Sequence, residues 1–158
     1  MRATRVIATL FVLAVNMPAF AETAIQPLPK EECQAIAVTL TKVTGIKLNV
    51  TEGTPPIMLE GLSGKACLMN GQATGVNRDF NTIQFKVAEA FPGWTTAEYD
   101  ADGAAALVRS LKLGNKRLAY RLEMEPPKGT CTENVPIVDC KVPMKRWVWT
   151  IEAAGYTR

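Results

Sequence analysis

The hydrophobic positions of the chain recur with two periods, and the period changes at recognisable punctuation. Cys33, Ile36, Ala37, Leu40 and Val43 are spaced three and four apart, which lays an apolar stripe along one face of an α-helix. Pro29 and the acids Glu31 and Glu32 suit its first turn, where a missing N–H costs nothing and carboxylates complement the helix N-terminus. Gly45 ends the run. The period then shortens to two: Ile46, Leu48 and Val50 alternate with polar residues, as in a half-buried strand. Pro55-Pro56 breaks that strand, and residues 57–62 predict another. In "KACLMNGQATG", Asn70-Gly71 marks a tight turn or a bulge between short strands. The helical period returns with Phe80, Ile83, Val87 and Phe91; Asp79 stands as its cap and Pro92-Gly93 as its stop.

The rest of the chain reads as strands. Residues 104–113 form one, Gly114-Asn115 turns, and 116–125 return, with Leu118, Tyr120, Leu122 and Met124 on one face and Arg117, Arg121, Glu123 and Glu125 on the other. Pro126-Pro127 closes this hairpin. After a loop, Trp147, Trp149 and Ile151 share one face of a last strand. Residues 22–28, "ETAIQPL", carry neither period and read as a lead-in. The order is helix then strands, near 29–75 and again near 79–153. This predicts an α+β fold, an antiparallel sheet backed by two helices, as though one helix-plus-three-strand unit were used twice.

The first residues change the compartment. Arg2 and Arg5, an apolar run of about ten residues from Val6 to Val15, and Ala19-Phe20-Ala21 have the build of a secretory signal peptide, residues 1–21, of bacterial style. The run is too short to span a bilayer, and no later run reaches the roughly 18 residues a membrane helix needs. The expected product is one exported domain, 22–158, periplasmic or secreted. Its 16 bases and 15 acids nearly cancel, so the basic character of the 158-residue chain does not argue for nucleic acid. Cys33, Cys67, Cys131 and Cys140 lie within the domain, an even number in an oxidising compartment. Four cysteines allow three pairings; Cys33–Cys67 and Cys131–Cys140 are favoured because each stays within one half of the chain. Zinc lacks support, since there is no Cys-x-x-Cys and no histidine.

"FPGWTTAEYDADGAA" raises the question of chemistry. Glu98, Asp100, Asp102 and Gly103 match the opening of a calcium loop, but the twelfth position, where a bidentate Glu belongs, is Arg109. A glycosidase pair needs two carboxylates held across a cleft, which alternating acids on a turn do not supply. The segment reads as an exposed turn, with Asp102-Gly103 leading into a hairpin strand. The lack of histidine removes Ser-His-Asp and Cys-His arrangements. The only serines are Ser63 and Ser110, and no P-loop or dinucleotide fingerprint occurs. No catalytic residue, metal or cofactor is indicated.

Gly64, Cys67, Gly75, Gly93-Trp94, Tyr99 and Asp102-Gly103 follow a plan of Gly-x-x-Cys, Gly-x-Gly, helix, Gly-Trp and aromatic-x-x-Asp-Gly, with Ala73 in place of the first glycine of Gly-x-Gly. Over residues 61–127 this resembles a loose group of small uncharacterised exported bacterial proteins. The resemblance implies compartment and fold and carries no mechanism.

Charge is unevenly spread: residues 22–108 hold six bases and ten acids, residues 109–158 ten bases and five acids. Lys112, Lys116, Arg117 and Arg121 cluster at one hairpin, and Lys145 and Arg146 precede the tryptophans. These six are the candidate binding residues, for an envelope protein or an anionic surface rather than nucleic acid. The chain thus reads as an exported, non-catalytic binding or accessory protein. The alternative is a carboxylate-dependent hydrolase of the cell envelope using Glu98, Asp100 or Asp102.

Overall fold

A computed structural model describes residues 23–56, 62–76, 79–131 and 135–158. The expected signal peptide lies outside the described residues, as does all of the strand expected over 57–62 except its last residue. In chain order the elements are β1 (Thr23–Pro27), α1 (Lys30–Thr44), β2 (Asn49–Gly53), β3 (Leu62–Gly64), β4 (Ala66–Thr74), α2 (Phe80–Glu89), β5 (Thr95–Asp102), β6 (Ala106–Leu113), β7 (Lys116–Glu125) and β8 (Val148–Thr157). Helix α1 begins where the Cys33 N–H bonds the Pro29 carbonyl at 2.9 Å. It ends at Gly45, whose φ of 77° lets its N–H bond the Thr41 carbonyl. Helix α2 is capped by Asp79, which accepts the Thr82 N–H at 2.8 Å and the Thr82 hydroxyl at 2.5 Å. These bonds hold the exposed Asp79 carboxyl below its ordinary pKa.

The main sheet runs in the order β2-β4-β8-β7-β6-β5, and every neighbouring pair is antiparallel. Strand β1 takes over the edge of β8 where β4 stops, pairing Pro27 with Tyr156, and runs parallel to β3. Both helices cover one face. Their stripes, including Ile36, Leu40, Ile83 and Val87, pack on Met69, Leu107, Leu118, Tyr120, Leu122, Trp149 and Ile151, with Phe80 and Trp149 ring centres 6.0 Å apart. The other face has a smaller core of Ile25, Ala66, Ala119, Ala154 and Tyr156. This is the expected α+β arrangement, an antiparallel sheet backed by two helices.

Three local expectations are corrected. The lead-in is strand β1, recruited by distant partners. Asn70-Gly71 neither turns nor bulges, because β4 runs through it without a register break. Glycine is required there for closeness: a Cβ on Gly71 would sit 2.4 Å from the Lys47 carbonyl oxygen, where the chain crosses from α1 into β2. Finally, the acidic stretch is strand β5, and the turn comes after it, where the Gly103 N–H bonds the Ala106 carbonyl at 2.7 Å.

Cys33–Cys67 fastens α1 to β4, and Cys131–Cys140 closes a loop before β8; both are disulfides in the favoured pairing. Among the described residues no helix is long and apolar enough to cross a membrane. The disulfides agree with an exported or extracellular protein.

Candidate functional site

Strand pairing fixes which face each charged side chain occupies. Asp100 lies opposite Arg109, and Arg109 opposite Tyr120, on the face covered by the helices. Arg109 donates from Nε to Asp100 at 3.0 Å and from Nη2 to Asp102 at 3.4 Å. Gln84 of α2 adds two bonds to Asp102, at 3.2 and 3.1 Å. Burial opposes the Arg109 charge, but the Asp100 hydrogen bond and neighbouring charges outweigh it and raise the guanidinium pKa. The buried Tyr120 hydroxyl has no hydrogen bond of ordinary geometry. Desolvation pushes it up to about 12, against the pull of the adjacent Arg109.

Glu98 does not join this group. The pairing of β5 with β6 shifts between Thr96 and Asp100, and Glu98 instead contacts Arg158 and lies 3.7 Å from Arg117. The three acids therefore form no converging set. Asp100 and Asp102 are bridged by a cation, with their oxygens taken by Arg109 and Gln84.

Of the six candidate bases, Lys112 lies directly opposite Arg117 in the β6–β7 ladder and shares its face, but the six form no single patch. Lys116 bonds Glu32 of α1 at 2.6 Å, Arg117 faces Glu98, and Arg121 pairs with Glu123. Lys116 and Arg117 are consecutive on β7, so they point to opposite faces. Lys145 and Arg146 lie in a single 3-10 turn before β8. The hairpin lies at the far end of β8, since Lys116 pairs with Thr157 and Glu125 with Val148; ten residues of strand span roughly 30 Å. The neighbouring tryptophans are buried, with Trp147 4% and Trp149 0% exposed, and present no stacking surface.

A concave surface does exist, along residues not singled out in the sequence. Between α1 and the end strand β2 lie two adjoining hollows that share Val50. One, of about 230 Å³, is lined by Leu28, Lys30, Val50, Glu52 and the Cys33–Cys67 disulfide. The other, of about 540 Å³, is lined by Ala37, Val38, Thr41, Lys42, Lys47 and Leu48. Val38 is 68% exposed, an apolar residue off the buried stripe of α1; that displacement was the signal available in the sequence. Lys30, Lys42 and Lys47 form no ion pair among the described residues, whereas Glu52 pairs with Lys65 at 3.2 Å.

The two end strands differ. β5 combines a register shift with charged side chains, features that block pairing with a further strand. β2 pairs with β4 in unbroken register from Asn49 to Gly53, and among the described residues no strand pairs with its outer side. No group of three or more His, Cys, Asp or Glu side chains able to hold a metal occurs among the described residues. No protein-family model, curated protein or solved structure matches the chain.

Proposed function

We propose that this is an exported protein, periplasmic or secreted, that acts as a non-catalytic binding or accessory module through the groove between α1 and β2. The observation carrying the proposal is the pairing of an apolar, lysine-flanked groove with a sheet edge that keeps an unbroken register, where β5 has a register shift. The signal-like start and the two disulfides support export. Of the carboxylates a hydrolase would need, Asp100 and Asp102 are tied to Arg109 and Gln84, and Glu98 is paired with Arg158, which weighs against the catalytic alternative.

The test is capture from envelope extract by the oxidised protein, comparing wild type with Val38→Glu/Lys42→Glu and with Asp100→Asn/Asp102→Asn, all checked for equal Tm. A partner retained by the acid variant and lost by the groove variant is the expected result. Hydrolysis of an envelope polymer that disappears in Asp100→Asn/Asp102→Asn would refute the proposal and favour the enzyme.

A further inference from the structure

We infer that β2 binds an extended acidic segment of a partner protein by strand addition, with alternate apolar side chains of that segment entering the groove under α1. The inference rests on the reading of the groove as a binding surface and specifies its ligand.

Backbone chemistry supplies the first part of the argument. In an antiparallel pair, successive residues point their N–H and C=O groups alternately to the two sides of the strand. β2 satisfies one side against β4, and among the described residues no strand takes its outer row. Such a row is a template for another strand, and proteins that do not use it normally block it. β5 has a register shift and three acids, whereas β2 keeps its register and carries one acid, Glu52, paired with Lys65.

The groove supplies the second part. Val50 lies opposite Met69, and Glu52 opposite Cys67, so both face the helix side. A strand added beside β2 alternates in the same way. Every second side chain would enter the hollows lined by Val38, Thr41 and Leu48, while the others would lie on the face of Asn49 and Thr51. Main-chain pairing would give affinity and the groove would select apolar residues at alternate positions, the mode of peptide recognition by sheet edges.

Charge selects among extended segments. Lys30, Lys42 and Lys47 flank the groove without acidic partners among the described residues, and Glu52 is already paired with Lys65. An acidic segment is complementary to this rim, and a basic one is repelled. A second copy of the chain pairing β2 with β2 would bring both sets of lysines to one seam, so a different, acidic partner fits better.

The experiment uses three synthetic heptapeptides: one alternating Val or Ile with Asp or Glu, the same pattern with Lys for the acids, and the acidic peptide carrying backbone N-methyl groups at alternate positions. Each is titrated into the oxidised, 15N-labelled protein. The acidic peptide is expected to shift the amides of residues 47–53 and Val38, slow exchange of alternate β2 amides, and bind at least about tenfold more tightly than the lysine peptide, a margin that shrinks as salt rises. N-methylation should abolish binding, because it removes the donors that pair with β2. Binding that survives N-methylation would overturn strand addition and leave the groove as a binding surface. Shifts confined to the neighbourhood of Asp100 and Arg109 would overturn both readings. Concentration-dependent dimerisation that protects β2 would make a second copy the occupant and refute the acidic partner, and absence of any shift would refute the inference.

Discussion

Gly71→Ala tests whether the crossing of the chain over β4 depends on close backbone approach. Gly71 is absent from the glycines with positive φ, so alanine meets no conformational strain there. The new methyl would lie 2.4 Å from the Lys47 carbonyl oxygen, 2.7 Å from Leu48 Cδ2 and 3.0 Å from Ile46 Cγ2. The nearest of these atoms is backbone, so no side-chain rotation can relieve the clash. Reaching a separation of 3.0–3.4 Å requires the 46–48 segment to retreat by roughly 0.6–1.0 Å. That movement lifts Ile46, which is 0% exposed, out of its packing. Overpacking of this kind costs about 1–3 kcal/mol, and the lower entropy of an unfolded chain with alanine returns about 0.4–1 kcal/mol. Taking the middle of each range, the net loss is about 1.3 kcal/mol, and Tm should fall by roughly 3–5 °C. The assay is urea unfolding followed by tryptophan fluorescence, with an unchanged slope. Gly53→Ala is the control, because its methyl would touch only the side-chain atom Leu68 Cδ1, at 3.0 Å, and it should stay within about 0.5 kcal/mol of wild type. Equal stability of Gly71→Ala and wild type, or equal losses in the two variants, would refute the reasoning.

Three further outcomes are expected. Tyr120, raised from 10.0 to about 12, keeps its proton in the folded state after the unfolded chain has released it; its contribution to stability should therefore be fully present below pH 10 and fall by up to about 3 kcal/mol between pH 10 and 12, with Tyr120→Phe reducing that fall in denaturation curves taken across this range. Paired Cys→Ser substitutions should cost about 4 kcal/mol at Cys33–Cys67 and about 2.5 kcal/mol at Cys131–Cys140 in urea unfolding, because the closed loops have sequence separations of 34 and 9; the reverse order would contradict the loop-entropy account. Arg109→Met should destabilise by about 1 kcal/mol at low salt, since it leaves Asp100 and Asp102 facing each other on a half-exposed edge, and a loss that does not shrink in 1 M salt would show the effect to be packing rather than charge.

Elements whose signals are local could be read directly. The spacing of α1 and α2, the Gly45 stop and the Asp79 cap all lie within the segments they organise, and β7 was legible because one of its faces is core. Elements made by distant partners were not. β1 has no period of its own and is a strand because β3 and β8 receive it. Asn70-Gly71 carries a local turn signal, overridden by a tertiary contact that needs the missing Cβ. Glu98, Asp100 and Asp102 lower the strand propensity of β5, yet an end strand tolerates them, with Arg109 and Gln84 neutralising one pair and the register shift sending Glu98 to Arg117 and Arg158. The basic hairpin misled for a geometric reason: residues adjacent in a strand face opposite ways, so Lys116 reaches Glu32 on α1 while Arg117 reaches Glu98. The groove combines residues 30–42 of a helix with 47–52 of a strand, and only Val38, displaced from the apolar stripe, hinted at it.

The placement of the disulfides bears on why the groove lies at β2. Cys33–Cys67 fixes the first turns of α1 to β4, one strand in from the open edge, and Gly71 brings the other end of the α1–β2 connection down onto the same strand. The helix wall is thus fastened to β4 at its N-terminal end, and the connection that follows the helix passes close over Gly71 of the same strand. The disulfide thereby fixes one wall of the hollows over β2. Binding at the proposed groove would order few new groups on the protein side, and the entropy lost on association would fall mainly on the ligand. At the other edge, α2 reaches β5 through Gln84 and Asp102, and that contact, with Arg109, consumes the polar groups a ligand would otherwise meet. Among the described residues, the same two-helix layer therefore engages one end of the sheet chemically and leaves hollows at the other, an asymmetry on which the proposed use of the β2 edge depends.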